Sequence, residues 1–227
     1  MSRKQAIRAV TFDVGNTLIE PRVSVGQVYA EVAAAHGFRG LSPEKLNHRF
    51  HAAFRAHGGA VNTQEDWARI VDQTFAGLIT QPPSKTFFPE LFEHFGQPDA
   101  WRIFDDVRPA LEALSRHGFR FGVISNWDER LRPLFDALQL AEHFEVLVIS
   151  CEAGVAKPAR EIFELAAKRL SLSPSEIFHV GDSLETDVLG ARAAGFCAAQ
   201  IARGQPAGPD RLASLRNLLS RLGPGGK

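Results

Sequence analysis

Short apolar runs alternate with amphipathic segments along much of the chain, and this alternation constrains the fold more than any other feature. The runs have the length and composition of buried strands, whereas the segments between them repeat apolar residues at helical spacing. Strands that alternate with helices form right-handed crossovers and a parallel sheet covered on both faces. The sequence therefore predicts a doubly wound α/β domain. The predicted strands are 7–12, 119–125, 144–149, 177–180 and 196–201, and the predicted helices are 110–117, 131–138, 160–170 and 186–194.

The stretch between the first and second predicted strands is far longer than one crossover helix requires. Three segments within it, at 25–36, 42–57 and 64–78, carry apolar residues at helical spacing, and breaks containing glycine or proline divide them. We therefore predict a small helical domain at 20–97, inserted after the first strand of a core domain that comprises 1–19 and 98–227.

Polar residues follow four of the predicted strands, and in open parallel sheets ligands collect at the carboxyl ends of the strands. A single aspartate after a strand is often only a turn or cap residue. Four polar segments in succession, each at the end of a strand, indicate one shared site instead. These segments are Asp13-Val14-Gly15-Asn16-Thr17, Ser125-Asn126, Lys157-Pro158, and Gly181-Asp182-Ser183 with Asp187 beyond it.

The order and the residue types of these segments resemble the four motifs of the haloacid dehalogenase (HAD) superfamily, in the branch with a helical cap after the first motif. The resemblance spans the whole chain. It implies a Rossmann-like core and a Mg²⁺-dependent, phosphatase-like hydrolase that acts on a small phosphorylated metabolite through an aspartyl-phosphate. By this resemblance, Asp13 is the nucleophile and Lys157 is the second catalytic residue. The resemblance implies that the metal ligands are Asp13, the Gly15 carbonyl, Asp182 and Asp187. It also implies that the substrate-binding residues are Gly15, Ser125, Asn126 and Lys157.

The chemistry of phosphoryl transfer agrees with this resemblance. A carboxylate attacks phosphorus only when the negative charge around the phosphorus is neutralised, and a divalent cation with a lysine can do this. Ligation by oxygen atoms alone suits Mg²⁺ rather than zinc.

The first motif departs from the family pattern at Gly15. Phosphatases of the superfamily resemble D-x-D-x-T there, and their second aspartate protonates the leaving oxygen and then activates water. A positioned general acid or base contributes about 10²- to 10⁴-fold in rate. Ordinary alkyl phosphate monoesters are therefore predicted to be poor substrates.

Three explanations of Gly15 compete. The leaving group can be one that needs no proton, as in acyl phosphates, phosphoanhydrides or activated phosphonates. A cap residue can supply the acid, with Glu20, His36, His48 and His51 as the nearest candidates. The protein can also be a weakly active or non-catalytic phosphate-binding relative.

Two other chemistries of the superfamily fit the sequence less well. Dehalogenation uses an aspartate that attacks carbon without a metal, but the paired carboxylates of the fourth motif suit a bound cation. Phosphonoacetaldehyde hydrolysis requires a cap lysine whose pKa is lowered by burial. The cap lysines are Lys45 and Lys85, and neither lies on a convincing apolar helix face.

Composition narrows the range of partners. Lys plus Arg equals Asp plus Glu, at 26 each, so no global field attracts the chain to nucleic acid or anionic lipid. The expected partner is a small phosphorylated metabolite, with no nucleic acid and no membrane. Cys151 and Cys197 lack the spacing of a metal or redox motif, and the N-terminal residues lack the apolar stretch of a signal peptide. These features predict a cytoplasmic protein.

Overall fold

The computed structural model describes residues 6–58 and 61–223, which form two compact units. The core unit contains the described residues up to Glu20, then Ile103–Ser125 and the described residues from Leu138 onward. The helical unit contains Pro21–Arg102 and Asn126–Ala137.

Eight strands and ten α-helices occur in the described residues. The strands are β1 (Ala9–Phe12), β2 (Ile19–Pro21), β3 (Trp101–Ile103), β4 (Arg120–Ser125), β5 (Val146–Ile149), β6 (Ile177–Gly181), β7 (Cys197–Ile201) and β8 (Arg211–Leu212). The helices are α1 (Val25–Ala35), α2 (Pro43–Ala56), α3 (Gln64–Phe75), α4 (Phe88–His94), α5 (Val107–Arg116), α6 (Leu131–Ala137), α7 (Ser150–Ala153), α8 (Arg160–Leu170), α9 (Gly190–Ala193) and α10 (Leu218–Leu222).

A six-stranded sheet in the order β5-β4-β1-β6-β7-β8 forms the centre of the core unit. Its paired strands are parallel, and Ala9 of β1 is in register with Arg120 of β4 and Ile177 of β6. β1 is buried along its whole length, as expected for a central parallel strand. The order of the strands reverses around β1, so β1, β4 and β6 end together at a switch point where ligands usually bind. The predicted fold class, an α/β core with a helical insertion after its first strand, is confirmed.

The first three helices of the helical unit have side-chain caps at their N-termini. The side chains of Ser24 and Ser42 accept hydrogen bonds from backbone N–H groups of α1 and α2, and Thr63 begins α3 with a capping box. The backbones of α1 and α2 approach closely at Gly26, where a Cβ atom would lie 2.0 Å from the carbonyl oxygen of Pro43. Glycine at this position is therefore required by the packing.

The compact units divide the chain differently from the predicted domain ranges. Their boundaries fall at Glu20 and Arg102, within the short strands β2 and β3, which form a separate two-stranded sheet. The segment Asn126–Ala137, which the prediction assigned to the core, belongs to the helical unit. The third predicted helix of the insertion extends too far, because the chain leaves helical geometry at Ala76 and adopts a positive φ at Gly77.

A helix that crosses a lipid bilayer must be both long and apolar. Among residues 6–58 and 61–223, no helix combines the length and the apolar character needed to cross a membrane.

Candidate active site

Three sheet strands place polar residues at one edge of the core unit. Asp13 follows β1 directly, Ser125 ends β4, and Asp182 follows β6. The backbone N–H of Asp13 donates to the carbonyl oxygen of Val180 at 2.9 Å, which continues the pairing of β1 with β6 past the last residue of β1. The parallel register therefore brings together side chains that are more than a hundred residues apart in the sequence.

Lys157 lies between two carboxylates in this site. Its Nζ atom donates to Oδ1 of Asp13 and to Oδ1 of Asp187, both at 2.6 Å, and its side chain is only 3% exposed. Burial alone lowers the pKa of a lysine, but the charges of Asp13 and Asp187 outweigh it and raise the pKa of Lys157. Lys157 is therefore a fixed ammonium group beside the predicted nucleophile.

Asp13, Asp182 and Asp187 form an acidic cluster in which one ligand oxygen from each residue lies within 4.8 Å of the others. Burial raises the pKa of Asp182 to about 7, with a further contribution from the charges of Asp13 and Asp187. Burial also raises the pKa of Asp13, against the opposing charge of Lys157. Three carboxylates thus lie close together, with one ammonium group in contact with two of them. An all-oxygen donor set with excess negative charge fits a hard divalent cation.

Asp187 is held from several sides. Its Oδ2 accepts a hydrogen bond from the backbone N–H of Ser183 at 2.9 Å, and its Oδ1 contacts Nε2 of His179 at 3.4 Å. A Cβ atom at Gly181 would lie 2.2 Å from Cγ of Asp187, so the glycine of this motif makes room for the carboxylate. Although burial opposes ionisation, Lys157 and His179 lower the pKa of Asp187.

The loop after β1 adds further contacts to the cluster. The hydroxyl group of Ser125 donates to Oδ1 of Asp13 at 3.1 Å, and that of Thr17 donates to Oδ2 of Asp13 at 3.5 Å. Asn16 adopts a left-handed conformation, with φ of 55°, and its side-chain amide donates to Asp182 at 3.2 Å. Gly15 lies in the same loop, where it forms a bridge with Ile19 and offers only backbone atoms.

The structure thus brings Asp13, Ser125, Lys157, Asp182 and Asp187 into one site, with Gly15 in the adjoining loop. Asn126, the remaining predicted substrate-binding residue, follows Ser125 in the sequence but belongs to the helical unit.

The predicted acid candidates have other surroundings. Glu20 is the last residue of the core unit before the chain enters the helical unit. His36 is exposed and contacts Glu90 at 2.8 Å, while His48 and His51 are exposed on α2. Each of these four residues stays a prediction as the general acid that Gly15 cannot provide.

The cap lysines lack the environment that Schiff-base chemistry requires. Lys45 and Lys85 are both exposed. Schiff-base chemistry uses a lysine that is buried in an apolar pocket, and neither of these residues is buried.

Two groups of polar contacts around the site, one buried and one partly buried, were not predicted from the sequence. Thr11 contacts Nδ1 of His179 at 3.0 Å within the sheet, and His179 in turn contacts Asp187. Arg203 donates to the backbone carbonyl of Thr17 at 2.8 Å and to Asp106 at 2.6 Å. The alternation of strand residues can suggest that Thr11 and His179 are buried, but no local pattern connects Arg203 with the first motif.

Comparisons with known sequences and structures identify a matching family model and several similar proteins. A family model described as haloacid dehalogenase-like hydrolase matches residues 7–195. The human haloacid dehalogenase-like hydrolase domain-containing protein 3 is 33% identical over 209 residues, which cover 86% of this chain and 82% of that protein. Glyceraldehyde 3-phosphate phosphatase of Methanopyrus kandleri is 29% identical over 215 residues, with coverage of 88% and 85%. The HAD hydrolase YfnB of Bacillus subtilis, solved with bound magnesium, has a TM-score of 0.74 at 17% identity and covers 96% of this chain and 99% of its own.

Proposed function

The chain belongs to the haloacid dehalogenase-like hydrolases, and on that premise we propose that it is a Mg²⁺-dependent phosphohydrolase that acts through an aspartyl-phosphate at Asp13. The observation that carries the proposal is the position of Lys157, which contacts Asp13 and Asp187 at 2.6 Å beside a third carboxylate, Asp182. This arrangement combines a nucleophile, a fixed positive charge and a set of cation ligands.

The proposed reaction has two displacements at phosphorus. A carboxylate oxygen of Asp13 forms a bond to phosphorus while the bond from phosphorus to the leaving oxygen breaks, and the leaving group takes that electron pair. Water then attacks the same phosphorus, the bond from phosphorus to the Asp13 oxygen breaks, and its electron pair returns to the Asp13 carboxylate. The protons of the attacking water leave with inorganic phosphate. Lys157 and the hydroxyl group of Ser125 hold Oδ1 of Asp13, so they orient the carboxylate and offset negative charge.

Asp13, the Gly15 carbonyl, Asp182 and Asp187 are the residues proposed to hold Mg²⁺. When bound there, the ion would supply a Lewis acid for phosphoryl transfer. The excess negative charge of the acidic cluster supports this assignment, and so does the magnesium bound to the Bacillus subtilis relative.

Gly15 narrows the proposed substrate class. Because this position carries no acid, the leaving group departs unprotonated, which favours acyl phosphates and phosphoanhydrides over alkyl esters. The proposed substrate is a small phosphorylated metabolite of that kind, in a protein that we expect to be cytoplasmic and to bind neither nucleic acid nor a membrane. The name of the Methanopyrus kandleri relative makes glyceraldehyde 3-phosphate a suitable alkyl ester for comparison.

The decisive experiment measures phosphate release from acetyl phosphate, p-nitrophenyl phosphate, glyceraldehyde 3-phosphate and a hexose phosphate, with Mg²⁺ and with EDTA. We expect release from acetyl phosphate that requires Mg²⁺ and is lost in Asp13→Asn. Gly15→Asp should increase release from the alkyl esters by about tenfold or more, because it restores the general acid. Asp136→Asn changes an exposed carboxylate of α6 in the same way and should leave the rate unchanged.

One alternative function has an observation in its favour. The lack of an acid at Gly15 also fits a relative that binds phosphate without turning it over. No release from any substrate, with binding of Mn²⁺ and inorganic phosphate retained, would support that alternative. Metal-independent halide release from 2-chloropropionate would support dehalogenation instead, although the acidic cluster argues against it.

A further inference from the structure

Arg203, in the loop after β7, has a guanidinium group with contacts on three sides. Its Nη1 atom donates to Oδ2 of Asp106 at 2.6 Å, and its Nη2 atom donates to the backbone carbonyl of Thr17 at 2.8 Å. Its Cζ atom lies 3.8 Å from the centroid of the Phe104 ring. A planar guanidinium group can make the two hydrogen bonds and the ring contact together, whereas a lysine ammonium group is a compact point charge.

Asp106 is itself held in place by the C-terminal part of the core unit. It is 6% exposed and lies just before α5, but its side chain does not cap that helix. Its Oδ2 atom instead accepts hydrogen bonds from the hydroxyl group of Ser214 at 2.7 Å and from the backbone N–H of Leu215 at 2.8 Å, in addition to the one from Arg203. Arg203 therefore has a fixed partner.

Thr17 connects Arg203 to the proposed nucleophile. Its carbonyl oxygen accepts from Arg203, while its hydroxyl group donates to Oδ2 of Asp13 at 3.5 Å. The contacts from Lys157 and Ser125 reach the other oxygen, Oδ1. The two oxygens of Asp13 are thus oriented from different directions, and Thr17 supplies the contact to Oδ2.

We propose that Arg203 is a positioning residue for Asp13, which acts by fixing Thr17 and the loop of residues 14–19. The loop closes on itself through bonds from Leu18 N–H and Ile19 N–H to the carbonyl oxygen of Val14, at 2.8 and 3.1 Å. Arg203 holds this closed loop against the C-terminal part of the core unit. The kinetic consequence rests on the proposed function, whereas the effect on the loop does not.

The kinetic test compares Arg203→Lys with Arg192→Lys on acetyl phosphate. Arg192 is a matched control, because it also bridges a backbone carbonyl, that of Ala198, and a carboxylate, that of Asp210, away from the first motif. We expect kcat to fall by about tenfold to a hundredfold in Arg203→Lys, with KM within about threefold, because misplacement of the attacking group affects the chemical step. Arg192→Lys should leave both constants within about threefold. Equal effects of the two variants would overturn the proposal.

A double-mutant cycle with Thr17→Val tests the proposed route. If Arg203 acts through the Thr17 hydroxyl group, Arg203→Lys should add less than about threefold to the effect of Thr17→Val on kcat, since coupled residues are not additive. Full multiplication of the two effects would mean that Arg203 acts elsewhere, and the proposal would fail.

Amide hydrogen exchange separates this inference from the proposed function. We expect peptides that cover residues 14–19 to exchange about tenfold faster in Arg203→Lys and unchanged in Arg192→Lys, because local opening depends on the contacts that hold the loop. Unchanged exchange in Arg203→Lys would overturn the proposal whatever the kinetics, and so would faster exchange with an unchanged kcat. If the wild type releases no phosphate from any substrate, the proposed function fails, while selectively faster exchange still supports the role of Arg203 in fixing the loop.

Discussion

Asp128 and the acidic cluster of Asp13, Asp182 and Asp187 differ in how their negative charge is balanced. In the helical unit, Asp128 is fully buried and accepts from Nε of Arg130 at 2.9 Å, from Nη2 of Arg130 at 2.6 Å and from Nε1 of Trp67 at 2.5 Å. One carboxylate there meets one guanidinium group. In the core unit, the acidic cluster has three carboxylates, and the ammonium group of Lys157 contacts two of them.

A difference of this kind is typical of that between a structural group and a functional one. A buried pair with every polar atom satisfied fixes the arrangement of the segments that carry it, and breaking it is costly. Unbalanced buried charge lowers stability, and such sites are typical of residues that bind ions or perform chemistry. We therefore expect substitution of Asp128 to lower stability, and substitution in the acidic cluster to lower activity without a loss of stability.

The largest expected effect is on turnover. Asp13→Asn should lower kcat on acetyl phosphate by a factor on the order of 10⁴, as for the loss of other catalytic groups. In EDTA, its free energy of unfolding should stay the same or rise, because one negative charge leaves the cluster. Phosphate-release kinetics and urea denaturation measure the two effects. A loss of stability as large as that of Asp128→Asn would contradict the comparison.

The next effect is on stability. Asp128→Asn should lower the free energy of unfolding by about 3 to 5 kcal/mol, because Arg130 then lacks its buried charge partner. Urea denaturation followed by circular dichroism measures this loss. The exposed substitution Asp136→Asn should stay within about 0.5 kcal/mol of the wild type. A similar, small loss in both variants would show that the Asp128 pair is not structurally important.

Mg²⁺ should stabilise the acidic cluster and leave the Asp128 pair unaffected. At about a hundred times its dissociation constant, the ion should raise the free energy of unfolding by about 2.7 kcal/mol, because it binds only the folded state. Thermal unfolding in Mg²⁺ and in EDTA measures this increment. We expect it to be lost in Asp182→Asn and retained in Asp136→Asn. An equal increment in both variants would argue that the ion binds elsewhere.

The smallest effect concerns Asp106, a second carboxylate that faces one guanidinium group. Burial raises its pKa, but hydrogen bonds from Arg203, Ser214 and the Leu215 N–H outweigh burial and lower it. A carboxyl group with a lowered pKa in the folded state stabilises the protein above its ordinary pKa, and this contribution is lost as the pH falls through the folded-state value. Between pH 5 and about pH 3, stability should therefore fall more steeply in the wild type than in Asp106→Asn. Parallel stability curves from urea denaturation across this range would contradict the prediction.

Much of the core fold could be predicted because its signals are local. A central parallel strand such as β1 is apolar throughout, and the five predicted strands of the core are all present in the sheet. β2, β3 and β8 were not predicted, since strands of two or three residues are too short for a periodic pattern. The end of α3 was misplaced because the apolar spacing continues past the residue where the backbone turns at Ala76 and Gly77.

The candidate site was predictable to the extent that its residues follow strands. Asp13, Ser125 and Asp182 stand where the strands end, so their meeting follows from the parallel sheet alone. Arg203 and Asp106 lie in connecting segments with no periodic signal. Their role depends on the path of the chain after β7, which local spacing does not specify.

The sequence by itself determined the alternation of the five longer core strands with helices along the chain, the insertion after the first strand, and the chemical types gathered at the sheet edge. These properties depend on short-range periodicity, which can be recognised from the order of apolar and polar residues. Only the tertiary structure decided that Lys157 contacts two carboxylates at once, that Asn126–Ala137 belongs to the helical unit, and that Arg203 reaches the first motif. The physical reason is that each of these depends on contacts between residues far apart in the chain, and the folded path of the backbone alone sets such distances.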